Sequence, residues 1–277
     1  MSEKNKVYIK GGQVVNCDKI LNADVYIEDG LIKFVGSPAD FKIPEGARII
    51  DAKGKFVMPG GIDPHTHFEV LFQGEISPDD FYIGTKASVA GGTTTIIDFV
   101  LPKTGESLVE KYHHYRKVAD EKVCCDYSLH ICLSWWSKAV SDEIEVLARD
   151  HGVNSFKMFM AYKGFCQLRD WEMYEALEKI RAVKGLAMVH AENGDIIERN
   201  VEQLLKNGIT GPEGHQLSRQ EEVEAEAVHR ACILAHQANC PLPSLAAKQL
   251  LMRSRKLESA TTEKVEFMRK LWQQELQ

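Results

Sequence analysis

A chain of 277 residues with 44% hydrophobic and 27% charged side chains is long enough for one or two packed domains and too apolar for a disordered segment. Its 34 Lys and Arg against 40 Asp and Glu leave a formal net charge of −6, and no long basic run offsets this, which excludes nucleic acid or an anionic membrane as the expected partner. No stretch reaches the ~20 apolar residues of a membrane span, and no apolar signal core opens the chain. Seven cysteines at irregular positions point to a reducing compartment, the cytoplasm, rather than a disulfide framework.

The first 58 residues read as short strands. Val7–Lys10 and Gln13–Val15 flank Gly11-Gly12, and Ala23–Ile27 and Leu31–Val35 flank the turn signal Asp29-Gly30. Arg48–Ala52 and Lys55–Met58 complete the run. So few hairpins make a poor core by themselves, so this segment is expected to pack against something else.

From Pro59 the pattern alternates. Strands are predicted at Gly61-Ile62, Thr93–Leu101, Tyr127–Leu133, Ser155–Tyr162 and Leu186–His190. Between and after them fall helical patterns at Phe81–Ala90, Leu108–Asp120, Ser141–Asp150, Trp171–Val183 and Ile196–Lys206. This α/β alternation predicts parallel strands with helical crossovers, an eight-fold barrel begun and not finished. A further helix is expected over Arg219–Ala238, opened by a capping pair of Ser218 and Glu221. Beyond Leu242 a sixth strand would be due. Instead Pro243 begins a charged, helix-forming tail with Val265, Met268, Leu271, Trp272 and Leu276 on one side.

Three places could carry chemistry. In Asp63-Pro64-His65-Thr66-His67, residues two apart on a strand point the same way, so His65 and His67 can share one metal ion and Asp63 can orient them. A polar strand end without metal is the other reading of an isolated pair. Lys157 lies within the apolar strand Ser155–Tyr162, where burial favours the neutral amine that can add carbon dioxide to form a carbamate. A snorkelling lysine, or one paired with a carboxylate, would fit the strand equally. His190 ends another apolar strand, as a ligand or as a hydrogen-bonded rim residue.

The order His-x-His, Lys, His along successive strands is that of binuclear amidohydrolases. The longer stretches Pro59–His67, Ala90–Thr94, Cys124–His130, Val153–Lys163, Val189–Asp195 and Gly208–His215 extend the likeness, and over roughly residues 5–242 the chain resembles the hydantoinase/dihydropyrimidinase family. The collapsin-response mediator proteins share this fold without the full metal set, and the presence of His65, His67, Lys157 and His190 sides with the enzymes.

The resemblance implies an incomplete TIM-like (β/α) barrel of the metal-dependent amidohydrolase type, preceded by part of a small β-sandwich domain. Residues 1–58 would belong to the sandwich, 59–242 would form the first five βα units, and 243–277 would be a divergent helical tail. It further implies two zinc ions bridged by carboxylated Lys157 and a hydroxide, with His65 and His67 on the first metal and His190 on the second. Tyr162 would donate to the developing oxyanion, although a tyrosine there could also be packing alone. The substrate would be a cyclic ureide such as 5,6-dihydrouracil or dihydrothymine, opened to an N-carbamoyl-β-amino acid, and the assembly a homo-oligomer, a tetramer. A further histidine ligand and an aspartate proton shuttle would lie past the divergence at Pro243. The chain alone is therefore expected to be catalytically impaired, or to act as a binding or regulatory partner of full-length subunits.

Overall fold

The structure is a computed structural model describing residues 5–72 and 75–242; the expected tail at 243–277, with its stripe from Val265 to Leu276, lies outside the described residues. The chain divides into two compact units. The first holds the residues up to Ile62 together with Gly92–Thr94, and the second holds Asp63–Gly91 and the chain from Thr95 on.

In the first unit the alternating segments pair into two small sheets. Strands β1 (Lys6–Lys10), β2 (Gln13–Val15), β3 (Ile20–Asn22), β4 (Asp24–Glu28), β5 (Leu31–Gly36), β6 (Arg48–Asp51) and β7 (Phe56–Val57) give one sheet of order β5-β4-β1-β6 and another of order β3-β2-β7. Asp29 and Gly30 both take positive φ, 52° and 76°, as a two-residue turn joining right-twisted strands requires. The buried Asp24 carboxylate accepts from the Tyr8 hydroxyl at 2.7 Å and from the Gly11 amide at 2.7 Å, tying β4 to the turn after β1. Strand β3 has no counterpart in the sequence reading. The chain changes sheets at Ala23, between Asn22 and Asp24, without a Gly or Pro at the break.

The second unit is built on a parallel sheet of order β14-β13-β12-β11-β8, drawn from β8 (Gly61–Thr66), β11 (Thr93–Val100), β12 (Asp126–Cys132), β13 (Ser155–Phe159) and β14 (Leu186–His190). A short antiparallel hairpin of β9 (Leu71–Phe72) and β10 (Glu75–Ile76) follows β8. The crossovers are α1 (Phe81–Ala90), α2 (Leu108–Asp120), α3 (Lys138–His151) and α4 (Asp170–Ala182), and α5 (Gly194–Lys206), α6 (Glu213–Ser218) and α7 (Glu221–Gln237) come after the last strand. This is the α/β architecture of an incomplete (β/α) barrel. Helix starts follow their caps: Asp80, Ser107, Ser137 and Asn193 each accept a backbone amide from the first turn. Helix α3 ends on Gly152, whose left-handed backbone returns its amide to the Leu147 carbonyl.

The core lies between the sheet and its outer helices. Phe156 and Met158 of β13 meet Ile144 and Leu147 of α3 and Leu177 and Ile180 of α4, all fully buried, and Ala227, Ala231 and Ala235 carry the same cluster onto α7.

Two expectations need correcting. The capping pair at Ser218 and Glu221 does not form: Ser218 closes α6, its hydroxyl donates to the His215 carbonyl, and α7 starts from Gln220 without a side-chain cap. Strand β13 stops at Phe159 rather than Tyr162. The amides of Phe165 and Cys166 return to the Tyr162 carbonyl, so the run ends in a turn with Tyr162 at φ 62° and Lys163–Phe165 exposed. Packing decides the energetics here: Leu177→Ala should cost about 2–5 kcal/mol, whereas Leu205→Ala, at a side chain 56% exposed, should change stability by less than about 0.5 kcal/mol, both read from equilibrium urea unfolding.

Candidate metal and catalytic site

The C-terminal ends of β8, β11, β12, β13 and β14 bring together every side chain singled out in the sequence. His65 and His67 lie 5.1 Å apart between ring centroids and at 71° to one another, the edge-on arrangement that alternation on β8 dictates. Both rest on Phe99 at the end of β11, at 4.8 and 4.9 Å. The ammonium of Lys157 stands 5.7 Å from the same Phe99 ring and 5.8 Å from that of Phe159. His190, at the end of β14, lies 5.1 Å from the ring of Tyr162. Asp63 accepts the backbone amide of His65 at 3.0 Å, so this bond shapes the main chain of the pair rather than an imidazole nitrogen.

Lys157 is the unusual member. It is 4% exposed, and among the described residues no hydrogen bond or ion pair is made to its amine. Burial lowers its pKa, offset only in part by Cys132. The imidazoles respond in the same direction. His67 is pushed down to about 4 by desolvation, then by the charges of His65 and Lys157. His65 is lowered by desolvation and by Lys157 and His190, against a smaller opposing effect of Asp63. The groups therefore lie within electrostatic reach of one another.

The rim also holds residues to which the sequence reading assigned no role. His190 Nε2 bonds Glu192 Oε2 at 2.8 Å, and Arg219 Nε reaches the other oxygen of Glu192 at 3.5 Å. The bond from His190 is the main reason the Glu192 carboxyl is held below its ordinary pKa. Asp98 is fully buried in β11, and desolvation raises its pKa to about 6 despite three hydrogen bonds. His130, buried in β12, is lowered to about 4, again by desolvation first. The signal for both was available: each is a lone polar residue inside an apolar run. Glu192 and Arg219 carry no such signal, being ordinary residues of polar segments that only the fold brings together.

As a donor set, these residues fit divalent cations. Neutral imidazoles offer lone pairs at ordinary pH, and a neutral amine is the precursor of a bridging carbamate. Among the described residues no three His, Cys, Asp or Glu side chains gather at one ion-sized point. In the metal-free chain the depressed imidazoles set a pH dependence. Between about 4 and 6.5 the unfolded chain binds more protons at His67 and His130 than the folded one, so stability falls as pH drops through that window. Asp98 acts oppositely between 3.8 and about 6, and two imidazoles outweigh one carboxyl. Urea midpoints measured in chelator should decline from pH 6.5 toward 4, and His130→Phe should flatten that decline.

A family profile described as "Amidohydrolase family" matches residues 56–250. Rat dihydropyrimidinase (Rattus norvegicus) is 51% identical over 246 residues, 87% of this chain and 47% of that protein. Human dihydropyrimidinase-related protein 5 (Homo sapiens) is 51% identical over 237 residues, 86% of this chain and 42% of that protein. The crystal structure of dihydropyrimidinase from Brevibacillus agri superposes with a TM-score of 0.83 at 35% identity, covering 91% of this chain and 55% of that one. The chain thus spans about half the length of the relatives it matches. No helix among the described residues is long and apolar enough to cross a membrane.

Proposed function

The chain belongs to the amidohydrolase family, and from that premise we propose that it serves the hydrolytic opening of cyclic ureides such as 5,6-dihydrouracil and dihydrothymine to N-carbamoyl-β-amino acids. The observation that carries this reading is Lys157, an amine buried without a counter-charge within electrostatic reach of the His65 and His67 imidazoles. Such an amine is drawn toward its neutral form, which adds carbon dioxide to its nitrogen and loses a proton to become an anionic carbamate. Two zinc ions held by that carbamate, with His65 and His67 on one and His190 on the other, would supply an acidified water and polarise the amide carbonyl.

The remaining roles belong to protein groups. Burial and the charge of Glu192 raise the Tyr162 pKa, so its hydroxyl stays protonated and can donate to the carbonyl oxygen as negative charge develops. The Arg219–Glu192–His190 chain of contacts holds His190 in orientation, as an outer carboxylate does for many ligating histidines. Because the chain spans about half its relatives' length, the reading assigns full turnover to these groups together with donors carried by the other half, and poor turnover to the chain alone.

The loss of several kcal/mol of metal polarisation corresponds to at least about a hundredfold in rate. In the chain extended by the second half that its relatives carry, Lys157→Ala should lower dihydrouracil turnover by that much and release zinc. Added acetate should restore part of both by standing in for the carbamate. Unchanged turnover in that variant would remove the reading. A second reading, association with subunits of its own family, is favoured by the equal 51% identity to a dihydropyrimidinase and to a dihydropyrimidinase-related protein. Size-exclusion of this chain mixed with full-length subunits should yield a mixed species under that reading and none under a purely catalytic one.

A further inference from the structure

The segment that carries His65 and His67 is fastened at every second residue. The Pro64 carbonyl accepts from His130 Nε2 at 3.1 Å. The Thr66 hydroxyl donates to Asp98 Oδ2 at 2.7 Å, and the Phe68 amide donates to the same oxygen at 3.0 Å. Residues 64, 66 and 68 are thus bonded to β11 and β12, while 65 and 67, pointing to the other side of the strand, carry the imidazoles. We infer that Asp98 and His130 are positioning residues, a two-point clamp that holds the Pro64–Phe68 backbone so that His65 and His67 present their rings jointly to a metal ion.

Each half of the clamp is itself fixed. Asp98 Oδ1 accepts the Phe99 amide at 2.7 Å, so the carboxylate has donors at both oxygens and its orientation is set by its own strand. That same peptide carries Phe99, the ring beneath both imidazoles, so one carboxylate aligns the ligand segment with its floor. For His130 the tautomer follows from the partners. A carbonyl only accepts, so Nε2 carries the proton, and Nδ1 accepts from the Ser155 hydroxyl at 2.5 Å. Ser155 opens β13, the strand of Lys157. The clamp therefore references the His65–His67 pair to the lysine strand through one imidazole. A buried carboxylate without a cationic partner is costly, and three donors offset that cost, two from the Pro64–Phe68 segment and one from the Phe99 amide of its own strand.

The inference rests on the metal reading above, and the test separates the two. Cobalt(II) titrated into the 277-residue chain, followed by its visible absorption, reports both affinity and ligand geometry. Wild-type chain should bind, and His65→Ala and His67→Ala should abolish the bands. Asp98→Asn and His130→Phe should weaken cobalt about 10–100-fold and shift the bands. His130→Gln keeps an N–H donor toward the Pro64 carbonyl and should restore affinity to within about threefold of wild type. Thr66→Val, which removes one bond and keeps the side-chain shape, serves where Asp98→Asn does not fold, and should loosen hydrogen exchange at the Phe68 amide. Wild-type chain that binds no cobalt, or binding that survives joint loss of His65, His67 and His190, overturns the metal reading and the clamp with it. Binding in wild type with unchanged affinity and bands in Asp98→Asn, His130→Phe and Thr66→Val overturns the clamp alone, as does failure of His130→Gln to restore what His130→Phe loses.

Discussion

Lys157 lies within β13, 4% exposed, with its amine over the faces of the Phe99 and Phe159 rings rather than beside a carboxylate. A charged ammonium in that setting is strongly disfavoured, and the surroundings only add to the pressure. His65 and His67 are further positive charges whenever they are protonated, so desolvation and mutual repulsion push these two imidazoles and the amine toward their neutral forms.

The sheet makes that concentration possible. Parallel strands send all their C-terminal ends to one rim, so residues far apart in the chain become neighbours by arriving at the ends of successive strands. The pairings place Phe159 opposite His190, and Cys132 opposite Lys157. Aromatic and polar side chains then share the work of support. Phe99 makes a common floor for His65, His67 and His130, while Asp98 and His130 take the polar bonds of the segment between them. Buried polar groups of this kind lock a single arrangement because every alternative leaves a donor or acceptor unsatisfied.

Much of this is legible in the order of the amino acids. Strands and helices with strong hydrophobic periodicity fall close to their expected places: α1 and α2 match their predicted ranges, and β14 matches Leu186–His190. Departures gather where no local pattern exists. The sheet change at Ala23 carries no Gly or Pro, the short helix α6 is hidden in a segment rich in Gly and Pro, and the turn at Tyr162 interrupts an apolar run that reads as continuous strand. In each case long-range pairing or packing overrides the local preference.

The amino-acid sequence by itself determined the α/β alternation and the family resemblance, and it singled out His65, His67, Lys157 and His190 as candidates, with Tyr162 added by the resemblance, because periodicity and residue chemistry are local properties. Only the tertiary structure decided that Lys157 is left without a counter-charge, that Asp98 and His130 bond the Pro64–Phe68 segment on alternate residues, and that Glu192 joins Arg219 to His190. Those facts depend on which strand ends meet at the rim and which groups water is kept from. Distance and desolvation are set by the folded chain as a whole and leave no mark on any short stretch of it.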